Sequence, residues 1–344
     1  MKIAVMPKAG SLEIREVPIP DIKQDEVLVK VKAVGICTWE QKYFSGINGS
    51  DSDFPFLGGH EICGVVEKAG SQVAQKLEPG DKVVVASFKR CGECYYCRRG
   101  YDNQCENASD ESKIAGYKGP AGFSEYFAAK GYEVFKIARE IDPAVGTLAE
   151  PLACVNHSIN MGDPKIGDYV LILGGGVMGI IHLFLAKQRG AFVIVSEPDE
   201  QRRKKAIELG ANFVVNPFEE SVTEKVKKIT SGRGVEAVFF TAGGKRALED
   251  GMASLAIRGT LVVYGATSSQ DMISIDPKVF HYREIHLTGV IRHTKDTFRK
   301  AAEIISNNVL PLELLVSGRY SFEDIEKGFE RAKDMDTYRI VVEL

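Results

Sequence analysis

Tyr169-Val170-Leu171-Ile172-Leu173-Gly174-Gly175-Gly176-Val177-Met178-Gly179-Ile180-Ile181 is the stretch on which the fold turns. Continued to Ala186 it gives eighteen uncharged positions in a row, a length that crosses a bilayer as a helix. The glycines argue against a membrane span. Three in succession would break such a helix, whereas Tyr169 to Leu173 is a short apolar run suited to a strand buried on both faces. Ile180 to Arg189 then reads as a helix closed by Gly190. That puts the glycines on a strand-to-helix turn, the place of G-x-G-x-x-G in a dinucleotide-binding unit. Gly174 permits the tight turn, and Gly176 lets backbone N–H groups at Val177 and Met178 approach a pyrophosphate. Gly179 allows the helix to pack close to the strand.

Beyond the helix, Phe192 to Ser196 reads as a second parallel strand ending at Glu197, twenty-three residues after Gly174. An acidic residue about 20 residues on accepts hydrogen bonds from the adenosine ribose hydroxyls. The plain alternative is that Glu197 ends a strand and starts a turn with Pro198-Asp199. A carboxylate there repels a 2′-phosphate, so NAD is expected over NADP. Arg202 and Arg203 follow closely and temper that preference.

The rest of the chain alternates in the same way. Candidate strands at Phe213 to Val215, Ala237 to Thr241, Thr260 to Gly265 and Ile285 to Gly289 bring the count to six, enough for a doubly wound parallel sheet over residues 149–290. Residues 1–148 have another texture. Ile3 to Val5, Glu26 to Val34, Ile62 to Lys68, Lys82 to Phe88, Phe123 to Ala128 and Val134 to Ile137 are rich in β-branched or aromatic residues and separated by Pro and Gly turns. Residues 291–344 offer a helix-like stretch (Thr297 to Asn307) and a strand-like one (Arg339 to Leu344). This is too little for a third domain, so the tail is expected to return to the first.

Composition limits the function classes. With 44% hydrophobic and 26% charged residues the 344-residue chain is ordinary globular material, and a net charge of −3 gives no footprint for nucleic acid or anionic membrane. No apolar signal segment opens the sequence, and a cytoplasmic protein is expected. Seven cysteines, an odd number, then read as metal ligands before disulfides.

Cys91, Cys94, Cys97 and Cys105 are spaced C-x2-C-x2-C-x7-C. Four thiolates this close fold into the closed, tetrahedral S4 set of a structural zinc, within a lobe over residues 89–108. An iron–sulfur cluster or a reactive dithiol is the alternative. A second set is dispersed: Cys37, then Gly59-His60-Glu61, then Glu150 in Glu150-Pro151-Leu152. Thiolate, imidazole and carboxylate together suit a catalytic zinc with one position open. Cys63 and Cys154 read as core residues.

The glycine turn, the four-cysteine lobe, Gly59-His60-Glu61 and Glu150-Pro151, in this order, resemble the zinc-dependent medium-chain dehydrogenases of the alcohol dehydrogenase superfamily. The Glu-Pro-Leu form at the third ligand is similar to the sorbitol and other polyol dehydrogenases. The resemblance spans essentially the whole chain. It implies a GroES-like β-barrel catalytic domain beside a Rossmann NAD-binding domain, in a homodimer or homotetramer. It further implies that Cys37, His60 and Glu150 bind the catalytic zinc, with Glu61 as a neighbouring or exchangeable ligand. The reaction implied is reversible oxidation of a secondary alcohol to a ketone with hydride transfer to NAD; polyols, sugar alcohols and sugar acids are the expected substrates. L-threonine 3-dehydrogenase chemistry is the nearest alternative, and non-catalytic NAD(H) binding a more distant one. One departure stands out. The family commonly places a Ser or Thr hydroxyl two residues after the cysteine ligand, where this chain has Trp39. Thr38, Glu40, Lys42 and Tyr43 are the neighbours able to substitute in proton relay, and Trp39 and Tyr43 are candidates to shape the substrate pocket. Arg292 matches a substrate-side position of the polyol branch, with His293 beside it.

Overall fold

The chain starts as strands and returns to them at its end. A computed structural model describes residues 1–109, 114, 116–267 and 272–344. The first elements are β1 (Lys2–Val5), β2 (Glu13–Glu16), β3 (Glu26–Ile36), α1 (Thr38–Phe44), β4 (Glu61–Ala69), β5 (Lys82–Ala86), α2 (Tyr95–Arg98), β6 (Tyr126–Lys130), β7 (Val134–Lys136) and α3 (Pro143–Gly146). A second run follows α4 (Ala149–Gly162): β8 (Tyr169–Leu173), α5 (Val177–Gln188), β9 (Phe192–Ser196), α6 (Glu200–Glu208), β10 (Phe213–Val215) and α7 (Val222–Ile229). It continues with β11 (Val235–Phe240), α8 (Gly244–Ser254), β12 (Leu255–Val263), α9 (Pro277–Arg283) and β13 (His286–Gly289). The tail adds α10 (Lys295–Ser306), β14 (Val316–Ser321), α11 (Ile325–Arg331) and β15 (Arg339–Glu343).

Two compact units result, Met1–Ala153 with His293–Leu344, and Cys154–Arg292. In the first, the strands run in the order β14-β15-β3-β4-β5-β7, with β6 also on β3. β3 is the centre of this sheet. Its Val27, Val29, Val31 and Val34 suit a pleated strand, and nine of its eleven positions are buried because β4, β6 and β15 all pair with it. The tail is therefore structural: β15 lies antiparallel to β3, with Val341 opposite Gly35. Ile3, Val29, Ile36, Phe123, Phe329 and Ile340 belong to one core cluster.

In the second unit the described strands form a parallel sheet ordered β10-β9-β8-β11-β12-β13. This is the doubly wound arrangement, and the order reverses between β8 and β11. Ligands bind such sheets at the carboxyl ends of the strands where the order reverses, which is where the turn after Leu173 lies. Leu171, Ile194, Val238, Phe240 and Leu261 are buried within it. Among the described residues no helix is long and apolar enough to cross a membrane, and the uncharged stretch divides into β8, the turn and α5.

Some local expectations shift. Phe123 is not in a strand: its N–H donates to Gly58, its carbonyl accepts from Ala4, and its ring is in the core, so β6 starts at Tyr126. α1, β14 and α11 are elements that the apolar pattern did not announce. α1 and α11 are seven-residue helices, and in β14 the half-buried and exposed positions simply alternate.

Candidate metal and cofactor sites

β3 and β4 bring the dispersed ligands together. Gly35 pairs with Glu61, so Cys37, just past the end of β3, and His60, just before β4, leave the same end of the ladder. Cys37 caps α1 without using its side chain as a cap. One ligand atom each of Cys37, His60 and Glu61 lies within 4.8 Å of the others. Gly35 is what makes room, since a Cβ there would stand 2.1 Å from Glu61 Oε2.

The surroundings are rich in negative charge. Glu40, fully buried on α1, has Oε1 2.6 Å from His60 Nδ1 and 3.0 Å from the Gly59 N–H that donates to it, while its Oε2 has no hydrogen-bond partner. A carboxylate on Nδ1 fixes the imidazole so that Nε2 is the nitrogen presented to a metal. Burial alone disfavours a charged His60, yet Glu40 and the Cys37 sulfur outweigh it and raise its pKa well above the usual value. Glu61 is fully buried with Arg339 Nη2 2.9 Å from its Oε1, and desolvation pushes its pKa up to about 7 despite that arginine. Arg339 is also buried and donates to the Ile36 carbonyl at 2.7 Å. Burial would lower its pKa, but Glu61, Cys37, Glu40 and Glu150 together raise it. A thiol and three carboxylates thus act on one guanidinium, and a dication at the Cys37–His60–Glu61 group fits that imbalance.

Glu150 lies in the first turn of α4 and is not among the three groups within 4.8 Å. It is close enough to raise the Glu61 pKa, and its Oε1 stands 3.9 Å from His293 Nε2. Trp39 packs edge-on against His60, Tyr43 and Phe56, with ring centroids 5.7, 5.0 and 5.5 Å away. Tyr43 stacks on Phe56 at 4.3 Å. Thr38 is exposed at the start of α1. Arg292 is exposed, ends the second unit and adopts φ 56°, whereas His293 is buried in the first. Two participants were outside the sequence reading. Arg339 sits at the head of an apolar strand and looks like a surface charge, and Glu40 drew notice as a relay, not as the partner of His60.

Cys91, Cys94, Cys97 and Cys105 also converge, with all four sulfurs within 4.8 Å. Cys91 Sγ is 3.5 Å from Cys105 Sγ and 4.0 Å from Cys97 Sγ. A tetrahedral zinc with Zn–S bonds of about 2.3 Å needs edges of about 3.8 Å, so the cage has the right size. Backbone N–H groups of Glu93 and Cys94 donate to Cys91 Sγ at 3.4 and 3.3 Å. They pull its pKa down to about 6, favouring the ligating thiolate.

The glycine turn has the geometry of an anion seat. Gly174 takes φ 104°, in the left-handed region. A Cβ on Gly179 would fall 2.0 Å from the Gly174 carbonyl oxygen, whereas one on Gly176 would meet only Arg202 Nη1, at 3.7 Å. Gly176 caps α5 with no side chain, so the first amides, of Val177 and Met178, are free of any cap. Glu197, buried at the end of β9, accepts from the Gly175 N–H at 2.7 Å and the Asp199 N–H at 2.9 Å. The acidic residue therefore lies directly against the turn. Arg203 Nη1 donates to the Glu197 and Pro198 carbonyls at 2.9 and 2.6 Å.

Known proteins share this plan. An alcohol dehydrogenase GroES-like domain model matches residues 23–139, and a zinc-binding dehydrogenase model matches residues 177–307. The L-threonine 3-dehydrogenase of Pyrococcus abyssi is 33% identical over 97% of this chain and 95% of its own length. The sorbitol dehydrogenase of Bacillus subtilis is 32% identical over 96% and 93%. A zinc-binding dehydrogenase from Sinorhizobium meliloti, solved bound to NADP, superposes with a TM-score of 0.89 at 29% identity, covering 100% of this chain and 99% of that one. With both domain models in place and full-length relatives above 30% identity, the chain belongs to the zinc-dependent alcohol dehydrogenase family of oxidoreductases.

Proposed function

We propose that this enzyme interconverts a secondary alcohol of a polyol, sugar alcohol or sugar acid with its ketone, using NAD. The observation that carries the reading is the convergence of Cys37, His60 and Glu61 within 4.8 Å beside an excess of carboxylates. Cys37, His60 and Glu150 would hold the catalytic zinc, with Glu61 as the exchangeable neighbour. A zinc bound there supplies Lewis acidity that lowers the pKa of an alcohol, and a bound nicotinamide supplies the hydride acceptor. The chain does the rest. Glu40 fixes the ring of His60, and Trp39 with Tyr43 and Phe56 forms an apolar wall that limits what approaches the ligands. Trp39 has no hydroxyl and Glu40 Oε1 is committed to His60, which leaves Thr38, Lys42 and Tyr43; the passage of the alcohol proton to water is assigned to Thr38 as the exposed immediate neighbour of Cys37. Cys91, Cys94, Cys97 and Cys105 would hold a second, structural zinc whose closed coordination leaves no place for substrate.

Gly174, Gly176, Val177, Met178 and Gly179 would seat the cofactor pyrophosphate, and Glu197 the adenosine ribose. The Glu197 carboxylate on Gly175 supports NAD over NADP by repelling a 2′-phosphate. Arg202, near Gly176, is the group to set against that. Assembly as a homodimer or homotetramer and a cytoplasmic location belong to the same reading. A second reading, oxidation of an amino alcohol such as L-threonine, is favoured by the 33% identity to the Pyrococcus enzyme, equal within a point to that of the sorbitol dehydrogenase.

A screen of polyols, sugar acids, sugar phosphates and L-threonine with NAD and NADP side by side, read by reduced-nicotinamide absorbance, separates these. NAD-linked turnover of a polyol or sugar acid is expected, and Cys37→Ala abolishes it. Turnover surviving in Cys37→Ala would remove the zinc mechanism, and a preference for NADP would remove Glu197 from its role.

A further inference from the structure

The Arg90 side chain is fully buried, and its three nitrogens face Asp102, Phe88 and His293. Nε lies 2.6 Å from Asp102 Oδ2, Nη1 donates to the Phe88 carbonyl at 2.9 Å, and Nη2 donates to the His293 carbonyl at 2.6 Å. His293 Nδ1 is 3.1 Å from the same Nη2. A guanidinium has donors and no acceptor. Nδ1 also lies 3.4 Å from the Thr294 carbonyl, but the Arg90 donor is nearer, so Nδ1 is taken as the acceptor and the proton of a neutral His293 is placed on Nε2. Nε2 is the nitrogen that stands 3.9 Å from Glu150 Oε1. His293 is 2% exposed and its ring packs on Phe298 at 4.8 Å, so the imidazole is held away from solvent.

We infer that His293 is a positioning residue for Glu150, its Nε2–H directed at the carboxylate by Arg90, and that the four-cysteine lobe sets this arrangement. The inference rests on the reading of Glu150 as a ligand of the catalytic zinc. At 3.9 Å the contact is electrostatic and longer than a hydrogen bond. It acts on a carboxylate in the first turn of α4. The lobe enters through its sequence. Arg90 adjoins Cys91, and Asp102 precedes Cys105 by three residues, so both ends of the Arg90–Asp102 pair are held by the segment that the cysteines close. Asp102 also accepts from the Lys295 N–H at 3.1 Å, tying the chain just past His293 to the same carboxylate. A closed metal lobe with no open coordination thereby reaches the residues of the reaction site.

The test uses the full chain loaded with two zinc ions and a chromophoric chelator that reports zinc release over time. Glu150→Ala identifies the phase belonging to the catalytic zinc by accelerating it. His293→Phe keeps the ring packing and removes the donor, and His293→Leu repeats the removal with a smaller side chain. Each is expected to accelerate that phase about tenfold, as loss of an orienting partner does, with the slower phase unchanged. His293→Gln, which restores a donor near the Nε2 position, returns most of the difference. Arg90→Met, which frees the imidazole to change tautomer, accelerates the same phase. If Glu150→Ala accelerates a phase and neither His293 removal does, the positioning role is wrong while the ligand reading stands. If Glu150→Ala changes neither phase, the ligand reading fails and the inference with it. Normal release in Arg90→Met beside rapid release in His293→Phe would remove Arg90 from the arrangement.

Discussion

His182 is buried in α5, with one ring nitrogen on the helix's own backbone and the other on α4. Nδ1 lies 2.8 Å from the Met178 carbonyl and Nε2 2.8 Å from Ser158 Oγ. A carbonyl can only accept, so Nδ1 carries the proton and Nε2 accepts from the serine hydroxyl. Burial lowers its pKa from the ordinary 6.5 to about 4. The unfolded chain therefore takes up a proton that the native state refuses, and stability falls as the pH drops from 6.5 to about 4. The difference approaches about 3 kcal/mol at the lower end. Denaturant midpoints of the native protein and of His182→Gln, measured across this window, should converge toward acid pH; parallel curves would show that His182 does not stay neutral. The sequence could not announce this histidine, because its character comes from a serine twenty-four residues away. Glu40 and Arg339 were obscure for the same reason. The first meets His60 across twenty residues, and the second meets Glu61 from the other end of the chain. The cysteine lobe was easier to read, since its ligands come from one short segment and their spacing alone implies convergence.

At the scale of elements, the clearest case is the junction of β8 and α5, where a local pattern fixes a tertiary contact. The apolar run, the glycines and the acidic end of the next strand were each legible, because a parallel strand buried on both faces has no freedom to be polar. The doubly wound parallel class followed once six strands alternating with helices were counted, while the strand order came only from the structure. β14 and the start of β12 were not legible, since these segments take their form from the strands they pair with, and α11 is a helix of only seven residues. The junction can be tested at one atom. An added Cβ at Gly179 lies 2.0 Å from the Gly174 carbonyl oxygen and 3.0 Å from its carbonyl carbon, both backbone. No rotamer relieves such a clash, so Gly179→Ala must move α5 away from the turn. We expect a loss of about 1–3 kcal/mol in stability and at least a tenfold weaker binding of NADH, followed by nicotinamide fluorescence. Unchanged binding would mean that the closeness of helix and turn is unrelated to the pyrophosphate seat.

At the scale of the molecule, the chain is one unit interrupted by another. Residues 1–153 and 293–344 share a sheet in which β15 lies on β3, and the pairing of Ile340 with Ile36 and the Arg339–Glu61 ion pair both depend on the tail. The interrupting unit has a parallel sheet ordered β10-β9-β8-β11-β12-β13 and a core of its own. These two facts make opposite forecasts for dissection. Residues 149–292, which keep α4 whole, contain every strand neighbour that β8 requires and should fold alone, as domains with a complete core do. Residues 1–153 without the tail should not, because β3 loses one partner and Glu61 is left buried with its arginine removed, a defect worth about 3–5 kcal/mol. Cooperative urea unfolding of the 149–292 segment, together with retained NADH fluorescence, would establish the cofactor site as independent of the metal site. A non-cooperative transition would show instead that the sheet needs the other unit to be stable, and that the interruption is a matter of chain order alone.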